Sequence, residues 1–398
     1  MTNTIIIIFC VLVLIAYLFD LTASRTRIPS VILLLLLGWL MQQAASALAI
    51  DVPDLSMALP IFGTVGLILI VLEGSLELEL TKDRIPLIRR AAWMAFIPMM
   101  LMAIGLALLM TRFGFPDIRL NLLNITPLCV ISSAIAIPTA QSLNKRNKEF
   151  IVYESSLSDI LGVLLFNFLL VNTDFGIHSL GLFLLQLLLI ILVSFVSTVF
   201  LTFLLNRINH HIKFVPIIML IVLIYAISKI YHLPGLIFIL LFGLFLGNVQ
   251  RFAHLPVIQR FKPEILHREV HRFHEIIVEG TFLIRVLFFV LFGFLIDTRE
   301  LFNLETAQWS GIIVASIYVL RFIFLRLFRQ PIMPLLFIAP RGLITILLFL
   351  SILPTDTIAL INKSLLTQVI ILTALFMMIG MIFNKQEKPI RKSPDNHP

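Results

Sequence analysis

Between Glu149 and Asn172 the chain is almost wholly apolar, yet that stretch opens with Tyr153-Glu154-Ser155-Ser156-Leu157-Ser158-Asp159. On a helix, Ser155 and Asp159 are four residues apart and share one face. They would offer hydroxyl and carboxylate oxygens to a hard monovalent cation. A carboxylate can also exchange that cation for a proton, which makes Asp159 the candidate exchange group and Ser155 its neighbour. Glu154 and Ser158 form a second row turned about 100° away. A charge near a bilayer centre costs about 2.5 to 3.5 kcal/mol, so every intramembrane ionisable residue needs a reason. Besides Glu154 and Asp159, those residues are Glu73, Glu279, Arg285, Arg321 and Arg341. A buried arginine left without a countercharge is very costly, so Glu154 is expected to pair with Arg321, Arg341 or both as a structural ion pair. Asp159 reads as functional, the alternative being an acid satisfied by backbone freed from a broken helix. Asp20, Glu77, Glu79 and Arg326 lie near span ends, where an interfacial or snorkelling side chain accounts for them.

These residues must be held by membrane-spanning elements. Of 398 residues, 60% are hydrophobic and 13% charged, with a mean hydropathy of +1.05, which excludes a water-soluble enzyme. Thirty-four Phe against five Tyr and three Trp make the aromatic mass apolar, as lipid-facing helices require. Apolar runs of about twenty residues argue for helices rather than a barrel's alternating strands. Cutting at charges and turn residues gives thirteen spans: 4–21, 29–48, 57–78, 90–111, 119–143, 149–172, 178–205, 214–230, 235–250, 275–296, 307–327, 331–353 and 364–384. The first reads as a span, not a signal peptide, because no basic residue precedes it and no cleavage site follows. Cys10 and Cys129 are expected to be buried small hydrophobes.

With the N-terminus outside and the C-terminus cytoplasmic, 22 of the 30 Lys and Arg fall in inner loops and the tail, five in outer loops and three within spans. The net charge of +8 then describes a cytoplasmic face against anionic lipid, and a nucleic-acid partner is not expected. Removing the seventh span leaves six on each side. Segment five carries Pro127 and Pro138 around Ser132 and Ser133, and segment twelve carries Pro331, Pro334, Pro340 and Gly342. Matched broken helices in two halves predict two inverted six-helix repeats whose breaks meet near the midplane. Ser132, Ser133 and Thr139 are the polar candidates of segment five.

Glu154-Ser155-Ser156-Leu157-Ser158-Asp159 resembles the Glu-Ser-Leu-Leu-Asn-Asp of the sodium/proton exchanger type of monovalent cation:proton antiporters. So, in order, do Leu72-Glu73-Gly74-Ser75-Leu76-Glu77-Leu78-Glu79-Leu80, Gly243 to Asn248, Phe288 to Gly293, and Arg341-Gly342. The resemblance runs over nearly the whole chain, a single domain of 1–398. It implies a homodimer with a dimerisation panel at about 1–80 and 214–296, a translocating core at about 90–172 and 307–384, and a linker helix at about 178–205. It implies that Asp159 binds cation or proton, helped by Ser155 and the broken fifth helix, with Arg321 close to Glu154. Two departures are Ser158, where the family has Asn, and Ala136-Ile137-Pro138 or its neighbours, where it has Thr-Asp-Pro.

With one titratable acid at the site, the sequence predicts electroneutral one-for-one exchange of H+ for Na+, with Li+ or K+ as alternatives, in a bacterial inner membrane. It asks for no cofactor and no metal beyond the transported ion. A channel would want a filter, which is absent. A membrane enzyme would want paired His and acids, and only the stretch Lys262 to His274 comes near, with His267, His271 and His274 on a plausible interfacial helix beside Glu264, Glu269 and Glu275. That stretch could sense cytoplasmic pH or be a solvated basic loop. His210 and His211 support nothing alone.

Overall fold

A computed structural model describes residues 2–26, 28–48, 55, 57–78, 80–172, 177–207, 213–231, 233, 235–251 and 263–383. Arg27, Glu79, His210, His211, Arg260, Lys262 and the tail from Asn384 lie outside these, as do the side chains of Arg25, Lys82 and Glu264. The described residues are helical, without strands. In chain order the helices are α1 (Thr2–Thr26), α2 (Ser30–Ala47), α3 (Ala58–Glu77), α4 (Ile85–Arg112), α5 (Ile118–Cys129), α6 (Ser133–Ala140), α7 (Lys145–Val171) and α8 (Ile177–Arg207). There follow α9 (Phe214–Ile230), α10 (Gly235–Gly247), α11 (Pro263–Phe294), α12 (Thr298–Leu301), α13 (Leu304–Leu327), α14 (Leu343–Leu350) and α15 (Lys363–Phe383).

All thirteen expected segments are present. Among the described residues, nine stretches are long and apolar enough to cross a membrane, with α5 and α6 counting as one, and α1, α9 and α10 supply shorter apolar helices. The twelfth segment is irregular from Gln330 to Gly342 and helical only in α14. Segment ten differs from expectation at its start. The stretch assigned to an interfacial helix is the first third of one continuous helix, α11, because Leu266, Val270, Phe273 and Ile277 keep a buried stripe through the boundary. Cys129 is buried as expected, but Cys10 is exposed, since α1 turns that side of its apolar surface outward.

Two groups of helices pack within themselves. In one, α3 lies on α10 and α11, and α11 on α2; in the other, α4 lies on α5 and α7, α6 on α7, and α13 on α15. Without water between helices in lipid, close backbone approach is the main source of such packing. At the α2–α11 crossing it is reciprocal: a Cβ on Gly38 would stand 2.1 Å from the carbonyl oxygen of Val290, and one on Gly293 2.3 Å from that of Leu35. Neither backbone can move aside alone, so Gly293→Ala should force the helices apart and cost about 1 to 3 kcal/mol, as overpacking does. Thermal unfolding in detergent checks this; an unchanged melting temperature would contradict it.

The two groups meet where α3 passes α6, α7 and α14. Helix α7, which carries the acidic motif, is started by Asn144, whose side chain accepts from the Asn147 N–H at 2.9 Å. From Phe150 to Asp159 only Leu157 of α7 escapes full burial, so the motif sits inside protein and not against lipid.

Candidate functional site

Helix α5 stops at Cys129 and the chain runs extended through Val130 to Ser132 before α6 begins at Ser133. The break falls ahead of Ser133. This is the place the flanking prolines indicate, around Ser132 and Ser133; Ala136-Ile137-Pro138, matched to the family's Thr-Asp-Pro, lies inside α6, and Ser133 is the first residue of that helix. The irregular part of segment twelve crosses here: the Ser132 N–H donates to the Pro340 carbonyl at 2.9 Å. The approach is close enough that a Cβ on Gly342 would lie 2.7 Å from the Ile135 side chain and 3.0 Å from Ser132 Oγ.

Breaking two helices frees backbone groups that lipid cannot satisfy. Side chains take them up. Arg341 donates from Nε to the Leu128 carbonyl at 2.7 Å, and from its terminal nitrogens to the carbonyls of Ala339 at 3.0 Å and Cys129 at 3.3 Å. The guanidinium thus sits at the negative end of α5. Ser158 Oγ accepts from the Ile131 N–H at 3.0 Å, so Ser158 holds the extended segment between α5 and α6 in place.

The acidic pair separates into two roles. Glu154 takes a fork of two bonds from Arg321, Nη1 to Oε1 at 2.6 Å and Nη2 to Oε2 at 2.9 Å, while Arg321 Nε donates to the Leu335 carbonyl at 2.7 Å. Arg341 is not a partner of Glu154, contrary to the broader expectation, because backbone carbonyls already claim its donors. Among the described residues no arginine pairs with Asp159. Its Oδ2 accepts from the Ser133 hydroxyl at the first residue of α6, and its Oδ1 is buried with no partner among the described residues. A carboxylate facing a helix N-terminus is favoured by the orphan N–H groups there. An unbonded oxygen on a buried acid asks for a proton or a cation.

Ser155, one turn before Asp159, is buried and donates its hydroxyl to the Ile151 carbonyl at 2.8 Å, which leaves its lone pairs available. Thr139 bonds back to the Ile135 carbonyl at 2.8 Å and lies farther along α6. A cavity of about 320 Å³ leads from Ser142 and Gln141 past Thr139 to Ser133, the residue that holds Asp159. Its opposite wall carries Asp20, Glu73, Glu77 and Arg285 from α1, α3 and α11. Sequence reading singled out Glu73 and Arg285 as intramembrane charges without giving them a role. Their spacing on separate helices held no sign that they would face segment five.

The model of the transmembrane sodium/hydrogen exchanger family matches residues 10–385. The chain belongs to the sodium/hydrogen exchanger family. Solved structures share the fold of this exchanger: the sodium proton antiporter MjNhaP1 of Methanocaldococcus jannaschii at pH 8 superposes with a TM-score of 0.65 at 19% identity, over 96% of each chain. A second structure of MjNhaP1, from electron microscopy, gives 0.62 at 18% identity over 96% of this chain and 95% of that one. No curated protein sequence matches. The exchanger is a multi-pass membrane cation/proton antiporter, and the enzyme and channel readings fall away. The His267 stretch that best suited an enzyme is the exposed start of α11, where His271 Nδ1 lies 3.3 Å from Glu275 and His274 is half-buried.

Proposed function

We propose that this antiporter exchanges one monovalent cation, sodium before lithium or potassium, for one proton through the Asp159 carboxylate. The observation that carries the reading is the unpartnered, buried Oδ1 of Asp159 at the crossing of the two broken segments. Ser155 and Ser133 are the hydroxyl ligands beside it; Ser132, Ser158 and Thr139 shape the crossing and its approach. Glu154 and Arg321 hold α7 to α13, and Arg341 neutralises the end of α5.

Alternating access is a movement of the group near 90–172 and 307–384 against the group near 1–80 and 214–296, with 178–205 as linker and the two halves as inverted repeats. The second group joins two copies into a homodimer. The basic loops face the cytoplasm of a bacterial inner membrane and its anionic lipid, with the N-terminus outside. The cavity lined by Asp20, Glu73 and Glu77 then opens inward, where carboxylates raise the local cation concentration.

Stoichiometry follows from the acids at the crossing. Ser158 carries no charge, α6 contains no acid, and Glu154 is committed to Arg321. One carboxylate that carries either a proton or a cation has the same charge in both directions, so no net charge moves. In proteoliposomes with an imposed pH gradient, sodium, lithium and potassium salts are added in turn, and valinomycin with potassium sets the membrane potential. Sodium should drive proton movement at a rate independent of voltage. Steep voltage dependence would show that a second charge moves, and no response to any of the three cations would remove the exchange reading.

A further inference from the structure

Arg285 has no part in the scheme above, and it is unlike the other intramembrane arginines. Arg321 is matched by a carboxylate and Arg341 by three carbonyls. Among the described residues, no side chain closes on Arg285 as an ion pair within 4.0 Å. It lines the cavity that leads to Ser133 together with Glu73, which stands on the helix that α11 packs against. Ionisable residues inside a membrane that face a cavity mark ion pathways by default. A fixed positive charge in a vestibule that collects cations nevertheless works against collection.

That opposition has a use. Three carboxylates, from Asp20, Glu73 and Glu77, line one cavity of about 320 Å³. Left uncompensated, such a group draws in a mobile cation of its own, in addition to the one bound at Asp159. A guanidinium keeps its proton at every accessible pH, so it supplies constant charge and cannot join the proton exchange. A lysine ammonium lacks the planar fork and gives up its proton more readily on burial, but while protonated it supplies the same charge.

We propose that Arg285 is a tethered counter-cation: it occupies the charge position beside Glu73 that a second mobile cation would otherwise take, so the cavity delivers one cation at a time to Asp159. This rests on Asp159 being the exchange carboxylate. It adds that the single-ion stoichiometry is enforced from the opposite helix group, by a residue on α11.

Equilibrium binding of radioactive sodium to the purified full chain in detergent reads the number of ions directly. Wild type and Arg285→Lys should bind about one ion per chain, and Arg285→Gln about two, because the carboxylates then recruit sodium as countercharge. Arg285→Ala repeats the measurement without depending on the fit of a glutamine. Arg285→Gln combined with Glu73→Gln should return to one ion, since the charge beside the guanidinium goes with it. In proteoliposomes the sodium dependence of Arg285→Gln should turn from hyperbolic to sigmoid. One ion per chain in both neutral variants, or two in wild type, overturns the proposal. Failure of the exchange reading shows separately, as unchanged sodium binding in Asp159→Asn on the wild-type arginine background.

Discussion

Asp159→Asn is expected to abolish cation-driven proton exchange while leaving the protein folded. The substitution keeps the shape, and the amide oxygen can still accept from the Ser133 hydroxyl that now bonds Oδ2. What disappears is the negative charge and the ability to titrate. A buried cation deprived of its countercharge loses about 3 to 5 kcal/mol. At 1.4 kcal/mol per tenfold, the low end of that range weakens cation binding by about a hundredfold. Proton exchange should fall further, because Glu154, the other acid of the motif, is held by Arg321 and is not free to take the proton over. Proteoliposomes loaded with a pH-sensitive dye give the rate, and gel filtration with thermal unfolding shows whether the variant is intact. A well-folded variant that still collapses a pH gradient at the wild-type rate on adding sodium, lithium or potassium would exclude Asp159 as the exchange group.

The contrast between Asp159 and Glu154 was partly legible in the sequence. Two acids five positions apart on a helix point about 140° apart, so they could not share one partner. Glu154 was the acid expected to meet an arginine; which arginine it met required the positions of α13 and segment twelve, and sequence spacing carries no such information. Arg341 shows the limit most clearly. Read as a charge, it asks for a carboxylate; in place, it satisfies the carbonyls of Leu128, Cys129 and Ala339, freed because two helices are broken at one spot. Proline content located both breaks to within a few residues. The register of the first was set by a contact across the molecule, Ser132 to Pro340, and proline spacing has no access to that.

Spans were legible for a different reason. Lipid accepts only long apolar helices with all backbone groups bonded internally, so hydropathy alone bounds each segment. That argument weakens at the interface, where α11 carries polar residues on one side and a continuous buried stripe on the other. Its polarity was read as a separate element, whereas the stripe of Leu266, Val270, Phe273 and Ile277 makes one helix of 32 residues.

The bond between Glu154 and Arg321 yields the largest effect on stability. Both side chains are almost fully buried, at 1% and 3% exposure, and the pair is a two-pronged fork whose remaining arginine donor reaches the Leu335 carbonyl. It therefore ties α7, α13 and the irregular part of segment twelve in a single contact. Removing one member strands the other charge away from water, at about 3 to 5 kcal/mol. Glu154→Gln should accordingly lower the melting temperature in detergent well beyond any loss of cation affinity. Glu154→Gln with Arg321→Gln should recover part of the loss, because no unpaired charge remains, though the anchor to Leu335 weakens. Arg341 provides the control. Its donors go to backbone carbonyls and not to Glu154, so Glu154→Gln with Arg341→Gln should show no recovery, the losses adding as they do for groups without a shared partner. Strict additivity with Arg321, or recovery with Arg341 in its place, would mean that the charge of Glu154 is balanced by the other arginine.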